Sequence, residues 1–80
     1  MKLTVLIRPK AGILDPQGEA VQASLATLGF GVTSARVGRL VDLEVDAADE
    51  AAARAEVERM CAELLANPLI ESFAIVSEAP

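Results

Sequence analysis

Asp15 sits in the stretch Gly12-Ile13-Leu14-Asp15-Pro16-Gln17-Gly18, and its neighbours give this carboxylate the clearest chemical task in the chain. An aspartate followed by proline starts a helix. The carboxylate accepts from the free backbone N–H groups of the first turn, while Pro16, which has no N–H to leave unpaired, fills the first helical position. The chemistry is capture of backbone donors rather than proton transfer. A second acidic group, Asp46, Asp49 and Glu50, has the density of a metal or acid–base site, but the chain has no histidine to accompany it. The same residues suit a helix start, with Asp46 as cap and Asp49 as its capping-box partner. Cys61, the single cysteine, lies beside Met60 among apolar residues at helical spacing. It reads as a buried structural thiol.

The cations are the other chemically suggestive set. Arg8, Lys10, Arg36 and Arg39 are four of 7 basic residues, set against 12 acidic ones for a formal net charge of −5. That balance argues against a general nucleic-acid binder, which must neutralise phosphates. The two aromatic residues, Phe30 and Phe73, lie outside the strands on which an RNA-recognition sheet would stack bases. The sequence contains no GxxxxGK[ST] loop, no G-x-S-x-G elbow and no cysteine pair, so catalysis by this chain alone is not expected. Its apolar runs are short and Met1-Lys2 leads straight into a strand pattern. Neither a membrane span nor a signal peptide is expected, and the cytoplasm is the expected location.

These residues need elements to position them. Leu3, Val5 and Ile7 alternate with Lys2, Thr4 and Arg8, a half-buried strand that ends at Pro9. From Pro16 a helix carries Val21, Leu25 and Leu28 on one stripe and stops at Gly29, with Phe30 placed to fold back on Leu25 as in a Schellman ending. Val32–Val37 and Leu40–Val45 read as two strands joined by a Gly38-Arg39 hairpin turn, with Val37 and Leu40 on the face away from the core. A second helix with the stripe Ala53, Val57, Met60 and Leu64 runs to Asn67-Pro68. Leu69–Val76 then forms the last strand, with Phe73 and Ile75 on one face and Ile70, Ala74 and Val76 on the other.

The order βαββαβ predicts an α+β, ferredoxin-like sandwich, with a four-stranded antiparallel sheet and both helices on one face, as one domain over residues 1–80. In that topology Lys10–Asp15, the Gly38-Arg39 hairpin and Asn67-Pro68 share one end. This end gathers Arg8, Lys10, Arg36 and Arg39 beside the electropositive start of the first helix, a surface suited to an acidic partner. Leu6, Leu40 and the two-sided apolar pattern of the last strand also predict self-association, as a dimer or higher oligomer.

The Gly12–Gly18 stretch, Leu28-Gly29-Phe30, Arg36-Val37-Gly38-Arg39, and Leu64-Leu65-Ala66-Asn67-Pro68 with Ile70-Glu71 together resemble the PurS family, the small subunit of bacterial phosphoribosylformylglycinamidine (FGAM) synthase. Arg39 departs from the lysine of the family pattern. The resemblance implies a required but non-catalytic subunit of purine biosynthesis that binds itself, a glutaminase subunit and an ATP-dependent synthetase subunit. It would carry no cofactor, ATP and Mg²⁺ belonging to the synthetase. The partner-binding residues expected on this reading are Arg8, Lys10, Asp15, Pro16, Gln17, Arg36, Val37, Gly38, Arg39, Leu40, Asn67 and Pro68. An amino-acid-sensing domain of the ACT type, which shares the βαββαβ order, is the alternative; Lys10–Leu14 would be its ligand loop.

Overall fold

The computed structural model describes residues 1–77. Strand β1 (Lys2–Pro9) forms as its alternation predicts, and Leu3, Val5 and Ile7 are 0–1% exposed. It is the central strand. On one side it pairs antiparallel with β2 (Arg39–Glu44), placing Leu3 opposite Leu43, Val5 opposite Val41 and Ile7 opposite Arg39. On the other it pairs with β3 (Glu71–Ser77), placing Leu3 opposite Ser77, Val5 opposite Ile75 and Ile7 opposite Phe73.

The core lies between this face and helix α2 (Glu50–Met60), which runs on into a π turn at Cys61–Leu65. Ala53, Val57 and Cys61 are fully buried, and Val45 and Ala66 complete the cluster. Burial pushes the Cys61 thiol pKa up, and the Glu58 carboxylate nearby adds to the effect. The expected stripe breaks at Leu64, which is exposed. In the π turn the Ala66 N–H bonds back five residues to the Cys61 carbonyl at 3.1 Å, and this shifts the helical phase so that Leu65 and Ala66 turn inward instead. The cap of α2 is Asp49, whose carboxylate accepts from Ala52 N–H at 2.8 Å, and not Asp46. Both acids precede the same alanine-rich run, and the helix takes the later one. β3 likewise starts later than expected, at Glu71, because Leu69 and Ile70 belong to a turn closed by Ile70 and Glu71 N–H on the Asn67 carbonyl.

The largest correction concerns the second predicted strand and the first helix. Among the described residues the sheet has three strands, in the order β2-β1-β3, and Val32–Val37 is not one of them. The hairpin at Gly38-Arg39 does not form either; Arg39 is already the first residue of β2. Instead the segment from Phe30 to Gly38 joins helix α1 (Pro16–Thr27) in an arm. Gln22 Nε2 donates to the Thr33 carbonyl at 3.0 Å and Val37 N–H donates to Asp15 at 2.8 Å. A Cβ on Gly18 would collide with the Ala35 carbonyl, so the first turn of α1 can approach this segment only as glycine.

Helix α1 has the ends that its sequence predicts. Asp15 caps its start, and at its close Phe30 N–H bonds the Leu25 carbonyl and Gly29 N–H the Ala26 carbonyl, with Gly29 at φ +95°. This is the Schellman pattern. Yet α1 does not lie on the sheet beside α2. Gly18 is its only buried residue, and Leu28 and Phe30 at the tip are 72% and 60% exposed. A compact chain of this length has a radius of gyration of about 12 Å. This one measures 15.8 Å and spans 50 × 29 × 14 Å. No helix among the described residues is long and apolar enough to cross a membrane.

Candidate partner-binding end

Three of the four motif stretches converge at one end of the sheet, as the topology argument expects. The Lys10 backbone is the hub. Its N–H bonds the Ile70 carbonyl at 2.8 Å, its carbonyl accepts from Ile13 N–H at 3.1 Å and from the Arg36 guanidinium at 2.8 Å, and its ammonium donates to the Pro68 carbonyl at 2.6 Å. One residue thus ties together the loop after β1, the segment before β2 and the turn before β3.

Asp15 joins α1 to that hub. Its two oxygens accept from Gly18 N–H at 3.0 Å and Val37 N–H at 2.8 Å, and Arg36 Nε stands 4.0 Å away. The Val37 N–H, then the Gly18 N–H and the charge of Arg36, hold the carboxyl below its ordinary pKa of 3.8. Residue type and spacing assign Asp15 one structural task, the helix cap. The structure gives it a second, since the same carboxylate fixes the returning segment.

Arg39 has a partner inside the chain. Its guanidinium makes a two-pronged contact with Glu71, at 2.5 and 3.0 Å, and also donates to the Leu65 carbonyl at 2.6 Å. Glu71 in turn accepts from Asn67 N–H at 2.7 Å. Arg39 first, and then Asn67 N–H, hold the Glu71 carboxyl below its ordinary 4.5, while Glu71 raises the Arg39 pKa. Asn67 also accepts from Leu69 N–H through its side chain at 3.1 Å, fixing the turn that Pro68 occupies. Gly38 is required by closeness, because a Cβ there would strike the Ile7 carbonyl.

The twelve expected site residues therefore divide by task. Asp15, Val37, Gly38, Arg39, Asn67 and Pro68 hold the end together, and Lys10 shares in this through Pro68. Pro16 and Gln17 open α1 and are exposed. Arg8, Arg36 and Leu40 are exposed as well, and they line an open cleft of about 310 Å³ together with Leu6, Gly38 and Arg39. Sequence reasoning gave no role to Glu71, although its place four residues after Asn67 was within the quoted motif. It read Leu6 as a sign of self-association and did not place it in this cleft.

A family model described as PurS, phosphoribosylformylglycinamidine (FGAM) synthase, matches residues 2–79. The chain belongs to the PurS family. It is 42% identical over 73 residues to the PurS subunit of phosphoribosylformylglycinamidine synthase of Synechocystis, a match covering 90% of this chain and 71% of that one. The crystal structure of Methanocaldococcus jannaschii PurS, a subunit of formylglycinamide ribonucleotide amidotransferase in the purine biosynthetic pathway, superposes with a TM-score of 0.84 at 38% identity, covering 94% of this chain and 92% of that one. A chain in the structure of PurLQS from Thermotoga maritima superposes at 0.87 with 30% identity, covering 94% and 93%. The PurS match takes in every element, the projecting arm included, so the stretches that carried the resemblance are its structural joints: Asp15 and Gly18 at the base of the arm, Leu28 to Phe30 at its tip, and Arg39 with Glu71 at the sheet end.

Proposed function

We propose that this subunit of FGAM synthase, in purine biosynthesis, is the assembly subunit of the enzyme. It holds a glutaminase subunit and an ATP-dependent synthetase subunit together in the cytoplasm, so that ammonia released from glutamine reaches the amidation site. The observation that carries this reading is the match, over 94% of the chain, to a chain in the PurLQS structure. The shape agrees with it, since a plate 14 Å thick has two broad faces and little depth in which to enclose a substrate. On this reading the chain binds no cofactor, and ATP and Mg²⁺ belong to the synthetase.

Self-association belongs to the same proposal. Helix α1 and the segment Val32–Val37 are the helix and strand that a four-stranded ferredoxin-like sandwich requires, and here they project from the sheet instead of completing it. A second copy would offer its own arm to the open edge at β2 and to the apolar surface at Val41 and Leu43, completing two four-stranded sandwiches between two chains. The outer edge of β2, with its unpaired backbone groups, favours such strand addition.

Reconstitution tests the proposal. Omitting the chain should abolish or strongly reduce glutamine-dependent amidine formation, while the synthetase keeps activity with added ammonium salt. Equal glutamine-dependent turnover without it would reject the assembly role.

A further inference from the structure

The face of the sheet turned away from α2 takes no part in the core, and the strand register fixes what it carries. In successive rows across the sheet stand Glu44 and Lys2; Asp42, Thr4 and Val76; Leu40, Leu6 and Ala74; and Arg8 with Ser72. The face has mixed charge at one end, where Glu44 and Asp42 stand with Lys2, apolar side chains in the middle, and Arg8 at the other end. Its carboxylates already have partners within the chain, because Glu44 meets the N-terminal ammonium at 3.3 Å and Asp42 accepts from the Thr4 hydroxyl at 2.7 Å. Its basic end is less engaged. Among the described residues Arg8 has neither a hydrogen-bond nor an ion-pair partner, and Arg36 donates to a carbonyl with its nearest carboxylate oxygen at 4.0 Å. Between the two lies the cleft against Leu6 and Leu40, with Leu40 56% exposed.

We propose that this face seats an acidic, apolar-faced segment of one of the larger synthase subunits. Its apolar side chain enters the cleft between Leu6 and Leu40, and its carboxylate meets Arg8 and Arg36. The inference rests on the assembly reading and names the surface that reading needs. Apolar contact in the middle of the face supplies affinity, and the arginines at one end fix which way the segment runs. A second copy of this chain fits less well, since the carboxylates that it would bring from the same face are already engaged. A free phosphate would use the arginines and leave the leucine row uncovered.

The test uses the complex reconstituted from this chain and both larger subunits, with the affinity of each variant for the complex measured by sedimentation. Arg8→Glu and Leu40→Asp should each weaken joining tenfold or more. The chain's own mass and circular dichroism should not change. The effect of Arg8→Glu should shrink between 0.05 and 0.5 M KCl, as a screened ion pair does, and that of Leu40→Asp should persist. A photo-crosslinking residue in place of Leu40 should capture a peptide of a larger subunit that contains Asp or Glu. Wild-type affinity in both variants overturns the proposal, and so does capture of a peptide without carboxylates. Loss of self-association in the variants would assign the face to a second copy. Displacement by potassium phosphate beyond that by KCl of equal ionic strength would assign it to a small anion. Each of those results also overturns the proposal while leaving the assembly role standing. If the wild-type chain is itself dispensable for glutamine-dependent turnover, the assembly reading falls first and this inference with it.

Discussion

The two helices of this chain were both expected to bury an apolar stripe, and only α2 does so. Helix α1 has Val21, Leu25 and Leu28 on one stripe, and of all its residues only Gly18 is buried. Helix α2 is dominated by alanine and charge and, with the π turn that continues it, closes the core through Ala53, Val57 and Cys61 at 0% exposure. An apolar stripe therefore states that a helix needs cover; it does not state which chain supplies it. What decides is the connection. A turn at Asn67 returns the chain from α2 to the sheet at β3, and Arg54 on α2 adds a bond to the Ile75 carbonyl at 3.3 Å. Helix α1 is pinned at its base to Val37 and runs away from the core, so its stripe stays open.

This contrast can be broken most directly by equal truncations in the two helices. Val57→Ala should cost about 2 kcal/mol, from the lost methyl groups and the cavity left behind, and should move the urea midpoint at every protein concentration. Val21→Ala should change the dilute chain by no more than about 0.5 kcal/mol, as an exposed substitution does, and should act instead on the mass seen by sedimentation at high concentration. If Val21→Ala destabilises the dilute chain as much as Val57→Ala does, α1 packs on its own sheet and the contrast is false.

A smaller effect is expected at the base of the arm. Asp15→Ala removes the helix cap and the bond to Val37 together, and the melting temperature should fall by about 5 °C. An unchanged melting temperature would mean that α1 is not held there. The smallest effect is in pH. Asp15 and Glu71 release their protons more readily in the folded chain than in the unfolded one, so the unfolded chain binds more protons on acidification and stability rises with pH in that range. Denaturant midpoints should be level from pH 7 to about 5 and fall as pH drops below about 4, the ordinary carboxylate range. Asp15→Asn should soften that fall. A midpoint that rises on acidification would contradict both carboxylate assignments.

The local signals in the sequence were read well where one residue's chemistry decides the outcome. The Asp15-Pro16 start, the Gly29 stop with its Schellman bonds, the alternation of β1, and the shared face of Phe73 and Ile75 in β3 all follow from residue type and spacing. The convergence of Lys10, Arg36, Arg39 and Asn67 at one end followed from chain direction alone. What failed needed information that lies elsewhere in the chain. Val32–Val37 alternates like a strand, but alternation specifies faces and not a neighbour, and Asp15 takes the Val37 N–H that a ladder would have used. Asp46 and Asp49 are equally good caps by type. The π turn at Cys61–Leu65 leaves no mark in composition, yet it moves every later residue of that stripe by one position. At the candidate site, spacing identified Arg39 as a cation but could not show that Glu71 already neutralises it.

The central position of β1 also has a consequence for the order of events at the ribosome. Strand β1 is made before both of its neighbours, Arg39–Glu44 and Glu71–Ser77, and the second of them lies more than sixty residues further along. Until that last segment has emerged, β1 has one open side and the face lined by Leu3, Val5 and Ile7 has no Ile75 or Phe73 beside it. Contacts so distant in sequence form slowly. The nascent chain therefore leaves β1 open on one side until Glu71–Ser77 has emerged, whereas the arm, built from contacts between Asp15 and Val37, can take shape before then.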